Sequence, residues 1–264
     1  MKNILVPIGS NKTAVNTLQY AVDFALETKA KIYVIHVFGV SKAASSMKNI
    51  DVVLEQDSEQ ELKEILAKVD RKGVELISKS IKGNVIDSIE RVAKQLNIGL
   101  IISSAKSISV DDEIYLGKIA GGLIKKTNIP VLVIPKKYQF KKVSKIMMAI
   151  KSGILISPVV LDPLKIVLKR FDASLDLIRV ITPDAKVKDS ELNKELKGLA
   201  TSFRSTENAT VFQGVLEHIH EFSPDMLCVI RRKRGFFSRL WENEVVYKKD
   251  FESRLPLLVL KGAF

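Results

Sequence analysis

A polar loop between two apolar runs holds the side chains whose types and spacing could bind phosphate. The runs at 100–102 and 131–134 bracket this loop, and a helix-length segment from Lys118 to Thr127 follows it. The order strand, loop, helix, strand predicts two parallel strands joined by a crossover. Open α/β sheets bind ligands at the carboxyl ends of their strands, and a helix N-terminus at that edge favours a phosphate.

In this loop Ser104 and Ser107 are followed by nine residues and then by Gly117 and Lys118, a spacing that resembles the universal stress protein family. In that family a strand ends in Gly-x-x-Gly, nine residues follow, and Gly-Ser or Gly-Thr then opens the last helix and holds ATP phosphates. Here Ser104 and Ser107 stand at the two glycine positions, residues 108–116 follow, and Gly117 and Lys118 open the helix. The spacing is retained but the chemistry differs, because serine lacks the backbone freedom of glycine and lysine supplies no capping hydroxyl.

The first strand departs from the family in the same way. The family carries V-P-x-D there, with the Asp on the adenine side of the nucleotide, whereas this chain has Gly9. Lys106 and Lys118 could instead supply cationic contacts to phosphate. Two alternatives remain: the loop has lost its ligand and the fold is kept for its surface, which we favour, or ATP still binds the first domain. The degenerate ATP site that the resemblance implies comprises Ile8, Gly9, Val37, Ser104, Lys106, Ser107, Gly117 and Lys118.

Composition is that of an ordinary globular protein, with 264 residues, 46% hydrophobic and 27% charged. A single cysteine, Cys228, excludes an internal disulfide and fits a reducing compartment. No apolar stretch approaches the roughly 18 residues of a membrane helix, and we expect no signal peptide and a cytoplasmic location. The net charge of +12 indicates either an acidic partner or a lysine-rich solvated surface, and we favour the second.

Strand and helix patterns alternate along the chain, which predicts an α/β fold with a mainly parallel sheet. The resemblance adds a flavodoxin-like or Rossmann-like doubly wound sheet of five strands in the order 3-2-1-4-5. The predicted strands of the first copy include 4–8, 30–38 and 74–80, and its predicted helices include 13–27, 54–72 and 85–96.

The pattern then repeats. Residues 145–150 match 3–8 at an offset of 142, and 173–180 match 30–37 at 143. The later matches, 225–229 with 99–103 and 255–260 with 129–134, have an offset of 126. The chain is therefore an internal duplication with 17 residues deleted from the second copy, which we place in the loop represented by residues 39–55.

We predict a first domain at 1–137 and a shortened second domain at 138–264. The resemblance implies that their last strands, Val131–Ile134 and Leu257–Leu260, pair to form a pseudo-dimer, which would bury two sheet edges. At the start of the second copy, Ser157-Pro158 and Asp162-Pro163 both resemble helix starts. We expect a short turn at 157 and the main helix at 163–170.

The second copy has no comparable phosphate loop. Residues 230–233 read IRRK, and Asn243-Glu244 match Gly117-Lys118. Because a glutamate repels phosphate, we expect no nucleotide there. Basic and aromatic residues at 231–241 either bind nucleic acid, dock an anion or a protein, or cover an empty pocket. The basic residues are Arg231, Arg232, Lys233 and Arg234, and the apolar ones are Phe236, Phe237, Leu240 and Trp241.

The remaining reactive side chains form no catalytic pattern. His36 is interpreted as a satisfied core or rim histidine, Cys228 as an inert buried thiol, and His218 and His220 as too close in sequence to share a helix face. We therefore expect a non-catalytic stress-response binding protein with no metal and no obligate cofactor. The alternative is an ATP-binding switch, or a slow ATPase, using the first domain.

The expected partner is an unidentified protein or an anionic small molecule, not nucleic acid or a membrane. A further homodimer of the pseudo-dimer is left open.

Overall fold

The computed structural model describes residues 1–9, 13–39, 50–105, 114–183, 185, 191–231, 246–247 and 253–262. The first half contains β1 (Asn3–Ile8), α1 (Ala14–Thr28), β2 (Lys31–Phe38), α2 (Ile50–Ala67), β3 (Leu76–Lys82), α3 (Val85–Gln95), β4 (Leu100–Ser104), β5 (Ile114–Leu116), α4 (Lys118–Lys126) and β6 (Val131–Ile134). The second half contains β7 (Lys145–Ile150), α5 (Asp162–Phe171), β8 (Ser174–Ile181), α6 (Lys194–Leu199), β9 (Ser202–Glu207), α7 (Val211–Phe222), β10 (Met226–Arg231), β11 (Val246–Tyr247) and β12 (Leu257–Lys261).

Ten strands form one sheet in the order β3-β2-β1-β4-β6-β12-β10-β7-β8-β9. Each half therefore has the predicted order 3-2-1-4-5, and the strand pairs within each half are parallel. The two halves join through an antiparallel pair, β6 with β12, in which Leu132 lies opposite Leu258. This pairing of the last strands was predicted from the sequence and is confirmed, as is the α/β fold class. The domain boundary after residue 137 stays a prediction.

Helices cover both faces of the sheet. Because successive residues of a strand point to opposite faces, Ile4 and Val6 of β1 face one core and Leu5 faces the other. The first core includes residues of α1, α2, α5 and α6, and the second includes residues of α3, α4 and α7. The first core runs across both halves, since the rings of Phe24 and Phe171 lie 5.2 Å apart.

Local sequence explains where several helices begin. Asn84 caps α3 by accepting hydrogen bonds from the amides of Ile86 and Asp87. Ser157 precedes a single 3-10 turn at Pro158–Leu161, and α5 begins at Asp162, as the two Ser-Pro and Asp-Pro pairs predicted.

The 17-residue deletion does not lie in the loop before the helix, so that placement was wrong. The connection before α2 (39–49) and the connection before its counterpart α6 (182–193) have similar lengths. Instead the helix itself is shorter, since α2 has 18 residues and α6 only 6. The connection after the helix is also shorter, with residues 68–75 after α2 and only 200–201 after α6. The deletion removed helix because α2 is mostly exposed, with only Ser58 and Leu62 buried, so few core contacts were lost.

Two element bounds and one small sheet also differ from the prediction. The predicted helix 54–72 spans Ile50–Ala67, and the predicted strand 74–80 spans Leu76–Lys82. A separate antiparallel ribbon joins β5 to β11, with Leu116 opposite Val246. Its strands have three and two residues, too short for a periodic pattern.

Among the helices that the structure describes, none is both long and apolar enough to cross a membrane.

Candidate functional site

The candidate site lies at the carboxyl edge of the first half, between β1 and β4. Strand order reverses here, since β2 and β3 lie on one side of β1 while β4 and β6 lie on the other. This is the switch point at which open α/β sheets bind ligands. The structure places six of the predicted site residues along this edge, whereas Lys106 and Ser107 lie outside the described residues. The six are Ile8, Gly9, Val37, Ser104, Gly117 and Lys118.

Two of the six contribute to packing. Ile8 is 7% exposed and belongs to the first core, and Val37 packs against the second core. Their side chains therefore pack on opposite faces of the sheet and offer no polar group to a ligand.

A hydrogen bond between two hydroxyls spans the crevice. Ser104 Oγ at the end of β4 donates to Thr13 Oγ1, which precedes α1, over 3.3 Å. Thr13 is the N-cap residue of α1, but its side chain makes no capping hydrogen bond to that helix. The Thr13 side chain is thus directed across the switch point toward β4.

Backbone hydrogen bonds fix both ends of the loop that follows β4. The amide of Ala105 donates to Ile134 O, and the amide of Gly117 donates to Ala105 O, each over 2.9 Å. Gly117 is extended (φ −73°, ψ 172°) and supplies no side-chain cap to α4. Lys118, the first residue of α4, is exposed. The Gly117 amide is therefore already bonded, while the start of α4 remains accessible.

The β5–β11 ribbon holds the last part of this loop. Tyr115 and Leu116 are 6% and 0% exposed, and Tyr247 lies opposite Ile114. The segment that leads to Gly117 is thus buried and paired with the second half of the chain.

In the second half, the segment after β7, the counterpart of β1, contacts the backbone of residues 191–193. Gly153, which follows β7, forms a parallel bridge with Leu192, and the Asn193 amide donates to Gly153 O over 3.1 Å. A Cβ on Gly153 would lie 2.6 Å from Glu191 O. Asn243 and Glu244, at which we expected phosphate to be repelled, lie outside the described residues.

The second half also buries one basic side chain, Lys261, and half-buries another, Arg231, near the end of its sheet. Lys261 on β12 is 9% exposed and donates to the carbonyls of Leu123 and Ile124 in α4. Burial and the neighbouring Arg231 lower the pKa of Lys261 to about 6, and burial lowers the pKa of Arg231. Residues 232–241, the rest of the basic and aromatic segment, lie outside the described residues.

The histidines and the cysteine have structural environments. His36 is 8% exposed, and its Nδ1 lies 2.7 Å from Ser58 Oγ, which donates to Ser80 Oγ over 2.8 Å. The prediction of a satisfied histidine is confirmed. His218 Nδ1 lies 3.0 Å from Gly214 O, and burial raises the pKa of the Cys228 thiol. Among the described residues there is no cluster of three His, Cys, Asp or Glu side chains that could hold a metal.

Two contributors to this edge of the sheet do not follow from the sequence pattern alone. The pattern predicts Thr13 only as the start of α1, although a threonine directly before an apolar helix is a recognisable N-cap residue. The bridge from Gly153 to Leu192 left no signal in the sequence, because it joins irregular segments far apart in the chain.

Fold and site together define an α/β protein of two flavodoxin-like units joined through their last strands, with a switch-point crevice in the first unit. The model of the universal stress protein family matches residues 1–135, and the chain belongs to this family. A universal stress protein of Methanocaldococcus jannaschii is 26% identical over 140 residues, which cover 51% of this chain and 82% of the relative.

Solved structures share the whole architecture. A universal stress protein from Archaeoglobus fulgidus matches with a TM-score of 0.72 at 18% identity, covering 99% of this chain and 96% of its own. A protein of Pseudomonas aeruginosa described as a universal stress protein matches with a TM-score of 0.62 at 15% identity, covering 99% and 94%. At these identities the matches show the shared fold alone.

Proposed function

We propose that this chain is a non-catalytic, cytoplasmic binding protein of the stress response, whose first-half nucleotide crevice no longer takes ATP. The observation that carries the proposal is the hydrogen bond from Ser104 Oγ to Thr13 Oγ1 across the crevice. A nucleotide phosphate at a switch point needs the space and the donors between the strand end and the helix N-terminus. Here the hydroxyls of Ser104 and Thr13 bond to each other between that strand end and that helix, which leaves less capacity to donate to a phosphate.

The loop after β4 supports the same proposal. In a phosphate loop, glycines let backbone amides approach the ligand closely. This chain has Ser104 at the first glycine position, and the Gly117 amide is bonded to Ala105 O. The β5–β11 ribbon further ties the loop to the second half, so reopening it would disturb a second hydrogen-bonded element.

The non-catalytic part of the proposal rests on the side chains at the crevice. Hydrolysis of ATP needs a residue that positions or deprotonates a water. Ser104, Thr13 and Lys118, polar residues that the structure describes there, carry neither a carboxylate nor an imidazole, the usual groups for this task.

Calorimetric titration of the full chain with Mg-ATP at low salt tests the proposal. We expect no saturable heat with the wild-type chain. The double variant Ser104→Gly, Ser107→Gly restores the glycines at the family positions and should gain binding. Saturable binding by the wild-type chain that is lost in Lys118→Glu, but kept in the control Lys63→Glu on exposed α2, would contradict the proposal.

The alternative is an ATP-binding switch that uses the first half only. The observation in its favour is the start of α4, where Gly117 leaves the helix without a side-chain cap and Lys118 is exposed. Such a helix end can still attract an anion. Measuring phosphate release at high protein concentration separates a switch, which binds without turnover, from a slow ATPase.

A further inference from the structure

An open cleft of about 1210 Å³ lies at the opposite, amino edge of the first half and extends to α5 of the second half. It is separate from the crevice between β1 and β4, whose residues lie at the carboxyl ends of the strands. We call it the amino-edge cleft. Its basic residues are Lys2, Lys29, Lys31, Lys169 and Arg170, and its acidic residue is Glu75.

The charge of the amino-edge cleft is strongly unbalanced. Five cationic side chains face one carboxylate, and Glu75 lies 4.0 Å from Lys31 Nζ with 62% of its own side chain exposed. Lys2, Lys29, Lys169 and Arg170 are exposed. Cations that line one concave surface raise the local concentration of anions.

The duplicated half provides an internal comparison, because the same backbone hydrogen bonds recur in both copies. The Lys31 amide donates to Lys2 O over 3.0 Å, and the Ser174 amide donates to Ser144 O over 2.9 Å. Lys2 and Lys31 of the first half therefore correspond to Ser144 and Ser174 of the second.

Lys29 has a counterpart of opposite charge. Lys29 ends α1 in the left-handed conformation (φ 54°), and Asp172 ends α5 in the same conformation (φ 54°). The fold thus accepts an aspartate where the first half has a lysine. Helix dipoles favour cations at these C-terminal ends, yet the second half carries the anionic Asp172 at this position.

A fourth position shows the same contrast. The Gly99 amide donates to Asn3 O, and the Asp225 amide donates to Lys145 O, so Gly99 corresponds to Asp225. The Asp225 carboxylate accepts hydrogen bonds from the amides of Ser144 and Lys145, over 2.8 and 3.0 Å. The first half has no carboxylate at this place. The lysines at positions 2, 29 and 31 are therefore particular to the first half and are not a requirement of the fold.

The shape and chemistry of the cleft restrict the ligand class. Its volume exceeds the usual 300–1,000 Å³ of a small-molecule pocket, which suits an extended anion better than a single phosphate. Single-stranded nucleic acid binds by stacking its bases on aromatic side chains. Among the described residues that line the cleft, none is aromatic. This favours an anion recognised through its charges alone.

We propose that the amino-edge cleft binds an oligophosphate, a molecule that carries several linked or clustered phosphate groups. Lys2, Lys29 and Lys31 hold one side of the anion, and Lys169 and Arg170 hold the other. Since the two sets come from different halves of the chain, the ligand bridges the pseudo-dimer.

Calorimetric titration with tripolyphosphate in metal-free buffer at low salt tests this proposal. The wild-type chain should bind saturably, with affinity that falls as salt is raised, because the contacts are exposed and screened. The triple variant Lys2→Ser, Lys29→Asp, Lys31→Ser installs the residues that the second half carries. It should bind at least about tenfold more weakly, the scale expected for losing several phosphate contacts.

The matched control is Lys63→Ser, Lys136→Asp, Lys197→Ser, which removes the same charge from exposed positions that do not line the cleft. It should change affinity by less than about threefold, since exposed charges act mainly at short range and are screened by salt. The variant Lys169→Ser, Arg170→Ser tests the other side of the cleft. Thermal melting of each variant establishes that it is folded.

Three outcomes would overturn the proposal. The first is no saturable binding by the wild-type chain. The second is an equal loss in the triple variant and its control, which would assign binding to net charge. The third is tighter, cleft-dependent binding of a single-stranded oligonucleotide, which would assign the cleft to nucleic acid.

Discussion

Lys261, on the last strand of the second half, donates a hydrogen bond to the carbonyl of Ile124, in the last helix of the first half. The same nitrogen contacts Leu123 O over 3.4 Å. Both carbonyls belong to the last turn of α4, and Leu123 O also accepts hydrogen bonds from the amide and the hydroxyl of Thr127, over 3.1 and 2.8 Å. A buried lysine therefore supports a helix end across the junction between the two halves.

This arrangement predicts a pH dependence of stability. The pKa of Lys261 is about 6 in the folded chain and about 10.4 when unfolded. Between these values the unfolded chain binds more protons, so the free energy of unfolding should rise with pH. The α4 carbonyls oppose the pKa shift, and we expect an increase on the order of 1 to 3 kcal/mol between pH 6 and 9.

Urea unfolding at pH 6, 7.5 and 9 measures this increase. Lys261→Met should flatten the pH dependence, whereas Lys63→Met, at an exposed position of α2, should leave it intact. The same slope in Lys261→Met and in the wild-type chain would show that other groups cause it.

The antiparallel pair of β6 and β12 predicts that the two halves share one tightly packed core at their junction. Leu258 of β12 lies opposite Leu132 of β6, and their exposed fractions are 1% and 0%. Leu258→Ala should lower the free energy of unfolding by about 2 to 5 kcal/mol, since it leaves a cavity between the halves. Leu216→Ala, at a position 44% exposed, should change it by less than about 0.5 kcal/mol. A loss below 1 kcal/mol at Leu258 would contradict tight packing at the junction.

The close approach of the Glu191 backbone to Gly153 can be tested with substitutions at two glycines. Gly153→Ala would place a Cβ 2.6 Å from Glu191 O, so the backbone must shift at a cost of roughly 1 to 3 kcal/mol in unfolding free energy. A Cβ added at Gly198, in α6, would have no atom within 4 Å. Gly198→Ala should be neutral or stabilise by up to about 1 kcal/mol. Equal effects in guanidinium unfolding would argue against the close contact at Gly153.

The His36, Ser58 and Ser80 hydrogen bonds predict how α2 is held. Ser58 Oγ lies 2.7 Å from His36 Nδ1 and 2.8 Å from Ser80 Oγ, so it links α2 to β2 and β3. Ser58→Ala removes one of two buried residues of α2 and leaves the buried His36 Nδ1 without this partner, at a cost of about 1 to 3 kcal/mol. Hydrogen exchange in α2 should accelerate, because the helix has few other buried contacts. Ser78→Ala, at an exposed position of β3, is the control and should leave α2 exchange unchanged.

Hydrophobic pattern determined the architecture of this protein. The short apolar runs and the helices between them predicted the α/β class. The repeated offsets between 3–8 and 145–150 and between 129–134 and 255–260 predicted two similar halves. The family resemblance then supplied the strand order and the pairing of the last strands, which the structure confirms. The fold class and the duplication follow from the burial of periodic apolar residues, which the sequence records directly.

The tertiary structure determines which side chains meet at the candidate site. Ser104 and Thr13 are 91 positions apart, and only the order of β1 and β4 in the sheet brings their hydroxyls together. The β5–β11 ribbon, the bridge from Gly153 to Leu192 and the amino-edge cleft likewise join segments from distant parts of the chain. Periodicity records which face of an element is buried, but it carries no information about which polar side chains meet once the sheet has formed.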